Sequence, residues 1–179
     1  GLAFMNSMLV KYCQYAKYEN VRVTIPRTVV VATDYFDAFI RNNGLEYVLT
    51  TEMTDEEILS EFVSSTLPYK LREALKAYVR TVSGPLAVRS SSKLEDSHYQ
   101  PFAGIYSTYM IPYTEGNEDR QLRLLQKAIK SVYASTYFAA SKAYVQSSQN
   151  LIAEEKMAVV IQEVCGTEQD GLFFPTLSG

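Results

Sequence analysis

PLAVRSSSKLEDSHYQPFAG, residues 85–104, is the stretch on which the fold turns. Leu86-Ala87-Val88 is a short apolar run of the kind that makes a buried strand, and Arg89 stands at its lip, followed by Ser90, Ser91 and Ser92. A polar loop with Glu95 and Asp96 comes next, and the segment closes on Gly104. A strand that delivers a planar cation beside hydroxyls and free backbone N–H groups suits an anion, phosphate oxygens in particular. The competing structural reading pairs Arg89 with Glu95 or Asp96. That pair would hold a surface loop shut for about 0–1 kcal/mol.

Working outward toward the N-terminus, Pro68 opens a helix at the favoured first-turn position. It presents Leu71, Leu75, Tyr78, Val79 and Val82, and Gly84 ends it. Thr54 with Glu57 has the form of a capping box and starts a helix through Ile58, Leu59, Phe62 and Val63. Earlier, Pro26 precedes Thr28-Val29-Val30-Val31-Ala32, a β-branched run expected to be a strand buried on both faces. Thr33 or Asp34 is expected to cap the short helix carrying Tyr35, Phe36, Phe39 and Ile40, which Asn42-Asn43-Gly44 stops. Leu2, Met5, Met8, Leu9 and Tyr12 recur at helical spacing from the first residues.

Toward the C-terminus, Ile105 to Ile111 alternates as a second strand. The longest helical stripe runs through Leu122, Leu125, Ile129 and Val132 and continues in Tyr133, Tyr137, Phe138 and Tyr144. A division or kink is expected near Ala134-Ser135-Thr136. Met157 to Val164 and Gly171 to Phe174 read as paired strands joined by a polar turn, Gly166 to Asp170. The whole is one mixed α/β unit without an internal repeat or linker. Both ends look cut, because the chain opens on an uncapped helix and stops directly after a strand.

Composition narrows the function. The 179 residues, 47% hydrophobic, suffice for one domain with a core or for a large part of a bigger one. The net charge of -3 arises from 17 basic and 20 acidic side chains in mixed order, without the basic face of a nucleic-acid binder. Cys13 and Cys165 form no CxxC pair and have no histidines nearby, which argues against a zinc site or disulfide framework. No apolar run approaches the roughly 20 residues of a membrane span. A soluble protein of the reducing cytoplasm is the expectation.

The Arg89 segment resembles the signature of the N-terminal nucleotide-binding domain shared by phosphoenolpyruvate synthase and pyruvate phosphate dikinase, close to AVRSSATAEDLPEASFAGQ. Ala87-Val88-Arg89-Ser90-Ser91, Glu95-Asp96 and Phe102-Ala103-Gly104 fall in register with it. Gly1 to Met5 resembles the continuation of the family's GGKAxxLxxL start, and Ile25 to Ile40 its VPxGFxITTxAYxxFL block. Ala128 to Tyr137 is similar to AIKxVWASLF, and Val159 to Val164 with Gly171 to Gly179 is similar to VVVQxMVxxxxxGVxFTxxPxxG. Blocks in the right order over nearly the whole chain are far more specific than any one of them.

The resemblance implies the N-terminal part of an ATP-grasp-like domain spanning residues 1–179, truncated at both ends. ATP would lie between two lobes and phosphorylate a histidine on a separate swivelling domain, with pyruvate as the leading small-molecule acceptor. Arg89 would contact the ATP phosphates and act in catalysis, Gly104 and Thr108 would line those phosphates, and Gln162 would sit at the adenine end. A Gly104 backbone can approach a phosphate closely, Thr108 offers a hydroxyl, and Gln162 offers both donor and acceptor. Each also has a plain structural role: a turn at Gly104, β-propensity at Thr108, and satisfaction of backbone groups by Gln162. Glu163 competes with Gln162 as the polar group nearest the base.

Mg²⁺ is implied as well, with ligands outside residues 1–179, and Glu95-Asp96 reads as a solvated pair. The sequence departs from the family at Ser92-Lys93 and at Ile105, and its one histidine, His98, reads as a loop residue, not the phosphorylated one. Other members of the family phosphorylate rifampicin or glucan, and a nucleotide-sensing module without chemistry is a further alternative.

Overall fold

The computed structural model describes residues 2–12, 25–92, 106–147 and 156–174. In chain order these form α1 (Leu2–Tyr12), β1 (Thr28–Val31), α2 (Thr33–Asn43), a 3-10 turn (Leu45–Leu49), α3 (Asp55–Ser64) and α4 (Tyr69–Val79). There follow β2 (Leu86–Ser92), β3 (Tyr109–Ile111), α5 (Glu118–Ser135), α6 (Ala139–Ser147), β4 (Met157–Glu163), β5 (Thr167–Gln169) and β6 (Leu172–Phe174).

Four strands make an antiparallel sheet in the order β1-β4-β2-β3. Its pleat sorts the side chains. Leu86 and Val88 of β2, Met157, Val159 and Ile161 of β4, and Ile111 of β3 are buried in one core. That core is completed by Leu125, Ile129, Val132 and Tyr133 of α5, with Phe36 and Phe39 of α2, Ile58 and Phe62 of α3, and Leu71 and Leu75 of α4. Fully burying a side chain of this size contributes about 1.5–3 kcal/mol, so the one-sided helical layer is what holds the sheet. The opposite face carries Thr28 and Val30, Ala87 and Arg89, Met110, and Val160 and Gln162, none of them buried.

The helix signals at the start of α3, at the end of α2 and in the middle of the long stripe act as read. The Thr54 hydroxyl accepts from the Glu57 N–H at 3.2 Å while Thr54 N–H donates to Glu57 Oε2 at 2.8 Å. Gly44 ends α2 at φ 62°, a conformation that costs glycine little. The long stripe divides at residues 136–138, where Ser141 donates its hydroxyl to the Ser135 carbonyl at 2.6 Å and supplies a partner to a helix end inside the protein. Phe36, Phe39, Phe62, Tyr133 and Tyr137 pack as one aromatic cluster with ring centroids 5.0–6.3 Å apart.

Several expectations are corrected. β1 is not buried on both faces: it is an edge strand, and Val30 is 59% exposed because helices cover only one side of the sheet. Ala32 occupies the N-cap of α2 without a side-chain bond, so neither Thr33 nor Asp34 caps it. Pro68 is the N-cap of α4, one residue before the first turn, and α4 ends at Val79, short of Gly84. Val82 still reaches the core because the turn Tyr78–Val82 folds back on the helix.

The strand expected over residues 105–111 is confined to Tyr109–Ile111, with Ile105 outside the described residues. β4 does not pair with β6. It sits between β1 and β2, and β6 pairs with β5, which lies inside the segment expected to be a turn. Asp170 and Gly171, both with positive φ, make the actual two-residue turn of that hairpin.

Candidate functional site

Register places the side chains of the open face in rows. One row runs Thr28, Gln162, Ala87, Met110; the next holds Val30, Val160 and Arg89. Rows on one face lie about 6.6–6.8 Å apart along the strands. Arg89 is exposed, and among the described residues no ion pair or side-chain hydrogen bond holds its guanidinium. Thr108 is exposed and immediately precedes β3, where continuation of the register sets it abreast of Arg89. Gly104, Glu95, Asp96, Lys93 and His98 lie outside the described residues.

Gln162 is half-buried, and its amide is oriented. Nε2 donates to Thr28 Oγ1 at 3.0 Å, and Thr28 in turn donates to the Pro26 carbonyl at 2.9 Å. That bond engages one Nε2 hydrogen and fixes which way the amide's second N–H and its Oε1 acceptor face.

At the Glu163 end of β4 the face opens into a cleft of about 1050 Å³ between the end of β3 and the β5–β6 hairpin. Met110, Tyr113, Leu172 and Phe173 give it an apolar floor, and Glu163 and Glu168 add two carboxylates to the lining. Glu163 Oε1 lies 3.7 Å from an Arg27 nitrogen, an ion-pair distance too long for a hydrogen bond, and the atom is buried without a donor among the described residues. Arg27 donates instead to the Thr81 carbonyl at 2.6 Å. Burial, and after it the Glu163 carboxylate, push the Tyr78 phenol above its ordinary value, with Arg27 acting the other way. The sequence reading left Glu163 open against Gln162, and the geometry separates them: Gln162 belongs to the open face, Glu163 to the cleft wall.

Of the hairpin wall, sequence reasoning finds the strand over Gly171 to Phe174 and misses its β5 partner. Its signal was Asp170-Gly171, a type I′ turn dipeptide between short strand-forming runs. Gly166 allows the two ends of the hairpin to approach closely at its base, since a Cβ there would stand 2.2 Å from the Phe174 carbonyl oxygen and 2.7 Å from Phe173 Cε1.

Among the described residues no group of three or more His, Cys, Asp or Glu side chains is placed to hold a metal ion. No helix among them is long and apolar enough to cross a membrane. The arrangement offers one unpaired guanidinium, hydroxyls near it, and an apolar cleft roughly three residues further along the strands. Such a layout accommodates an elongated ligand with an anionic end and a flat apolar end.

Comparison with known proteins bears on that ligand. A Bacillus subtilis protein named "Uncharacterized phosphotransferase YvkC" is 31% identical over 157 residues, covering 84% of this chain and 17% of the relative. The phosphoenolpyruvate synthase of Aeropyrum pernix is 29% identical over 174 residues, covering 85% of this chain and 20% of the relative. The chain therefore spans about a fifth of the length of these curated relatives. The family model described as "Pyruvate phosphate dikinase, AMP/ATP-binding domain" matches residues 6–177. With that match running from α1 past β6 and through the Arg89 strand, the chain belongs to the pyruvate phosphate dikinase AMP/ATP-binding domain family and has its ATP-grasp-like architecture.

Proposed function

We propose that this chain is the ATP-binding portion of a phosphoenolpyruvate synthase-like phosphotransferase. The longer protein would convert ATP, pyruvate and water to phosphoenolpyruvate, AMP and phosphate through a phosphohistidine on another, swivelling domain. The observation that carries the reading is the exposed Arg89 guanidinium on the same sheet face as Gln162, on a face that opens into the apolar cleft.

ATP would lie along that face. Its base occupies the cleft end, where Gln162 Oε1 can accept from an exocyclic amine, and its phosphates extend toward Arg89 and Thr108. Arg89 neutralises charge that accumulates on the transferring phosphoryl oxygens, and the Gly104 backbone and Thr108 hydroxyl fix their position. Mg²⁺ would supply further charge neutralisation, held by the phosphates and by ligands expected outside residues 1–179. Catalysis is accordingly assigned to the longer protein and not to these residues alone. The cytoplasm, where ATP and pyruvate are available, is the proposed location.

A second acceptor class, an antibiotic or a glucan, remains a distinct reading of the same nucleotide site. It is favoured by the likeness to a relative named only as a phosphotransferase. Incubation of the full-length protein with labelled ATP decides both points. Label should reach a histidine and then pyruvate. Label that stops at histidine until another acceptor is added would favour the second reading, and absence of ATP binding would remove the proposal altogether.

A further inference from the structure

Thr108 stands at the phosphate end of the proposed nucleotide face, and the β2–β3 ladder stops one pair short of it: the last paired residues are Val88 and Tyr109. Beyond that point α5 takes over. Tyr106 is buried in the core, only 6% exposed, and the Ser107 N–H donates to Ser135 Oγ at 3.4 Å. The two contacts fasten the backbone immediately before Thr108, which itself stays exposed on the side of Arg89.

Ser135 is fitted to this role by where its own hydrogen goes. It is fully buried at the end of α5 and donates its hydroxyl to the Val132 carbonyl, three residues back, at 2.7 Å. A hydroxyl has a single hydrogen, so with that one engaged the oxygen is left as an acceptor, the polarity an incoming N–H requires. The helix around it has no room to shift: Val132, Tyr133 and Ala134 are all fully buried, and the Ser135 carbonyl is itself held by the Ser141 hydroxyl at 2.6 Å. A bond from so fixed a helix end to the backbone beside Thr108 sets where that hydroxyl stands relative to Arg89, and a misplacement of about 1 Å is enough to weaken a site built from converging groups. We infer that Ser135 is a positioning residue of the nucleotide site. It touches no nucleotide, and through Ser107 it holds Thr108 abreast of Arg89, where the terminal phosphates of ATP would lie. The inference rests on the reading of Arg89 and Thr108 as phosphate-binding groups.

Calorimetric titration of ATP into the full-length protein, arranged as a double-mutant cycle, is the test. Ser135→Ala should weaken ATP affinity roughly fivefold, the value of one neutral hydrogen bond. It should have little further effect in a protein already carrying Thr108→Ala, because both changes remove the same contact. Ser135→Cys, close to serine in size but a weak acceptor, should behave like Ser135→Ala and keeps the test valid if that variant does not fold. Ser141→Ala disturbs the same helix end without touching Ser107, and should lower the melting temperature while leaving ATP affinity as in wild type. Hydrogen–deuterium exchange in peptides covering residues 106–109 should quicken in Ser135→Ala. Wild-type ATP affinity in the folded Ser135 variants would overturn the inference. So would effects of Ser135→Ala and Thr108→Ala that simply add, or an equal loss of affinity in Ser141→Ala. If Thr108→Ala itself leaves ATP affinity unchanged, the reading of Thr108 falls first and the inference falls with it.

Discussion

Arg89 and Gln162 stand on the same face of the sheet, on neighbouring antiparallel strands, one step apart in register: Arg89 faces Val160 and Gln162 faces Ala87. Diagonal neighbours of this kind have Cα atoms about 7–8 Å apart, within the reach of a single ligand. More than seventy residues of sequence separate them, so only the β2–β4 pairing makes them one surface.

Replacing Arg89 with alanine should weaken ATP binding by the contribution of a charge-assisted hydrogen bond, about 1.5–3 kcal/mol, and abolish ATP-dependent histidine phosphorylation. Lysine should restore charge but only part of the affinity, because it lacks the planar fork. The melting temperature should hardly move, as no described residue depends on this guanidinium. Calorimetry on the full-length protein checks the first point, and unchanged binding would detach Arg89 from the site.

Thr28→Val probes the orientation of Gln162 without touching its side chain. Loss of the 3.0 Å bond frees the amide to rotate, and ATP affinity should fall by a few-fold, with Gln162→Leu falling further. Affinity for ATP equal to wild type in both variants would place the base elsewhere, with Glu163 the next residue to replace.

Gly166→Ala should displace the β5–β6 hairpin, because the new methyl would overlap the Phe174 carbonyl oxygen at 2.2 Å, which is backbone and cannot swing aside. Faster proteolysis between residues 165 and 174 is expected. The helical core should melt as before, since Leu172, Phe173 and Phe174 are exposed and take no part in it. A hairpin as resistant as wild type would contradict the close approach.

Burial pushes the phenols of Tyr133 and Tyr137 well above the ordinary value of 10.0; at Tyr137 the carboxylates of Asp37 and Glu46 add to the effect. In the unfolded chain both ionise at the ordinary value, so the folded state holds more protons above pH 10. Their contribution is complete below pH 10 and is lost as pH rises beyond it. Unfolding followed by circular dichroism should therefore set in above pH 10, together with tyrosinate absorbance. Tyr133 Oη is also buried without a partner among the described residues, so Tyr133→Phe should leave neutral-pH stability equal or higher and flatten the alkaline loss. A variant that unfolds more readily at neutral pH would show that this hydroxyl does have a partner.

The sequence by itself determined what depends on groups a few residues apart. The Thr54–Glu57 capping box, the Gly44 stop and the division of the long helix near Ser135 all follow from local hydrogen bonding and steric freedom. It also carried the family resemblance, because that rests on ordered blocks and needs no coordinates. Tertiary structure alone decided which strand neighbours which. It put β4 between β1 and β2, left β1 at an edge, and gave β6 a partner in a segment that reads as polar turn. Strand pairing is chosen by the helical layer available to bury one face, a sum over distant residues that no local pattern contains. For the same reason Arg89 could be singled out from its own strand, whereas its alignment with Gln162 and the cleft beside Glu163 emerged only from the assembled sheet.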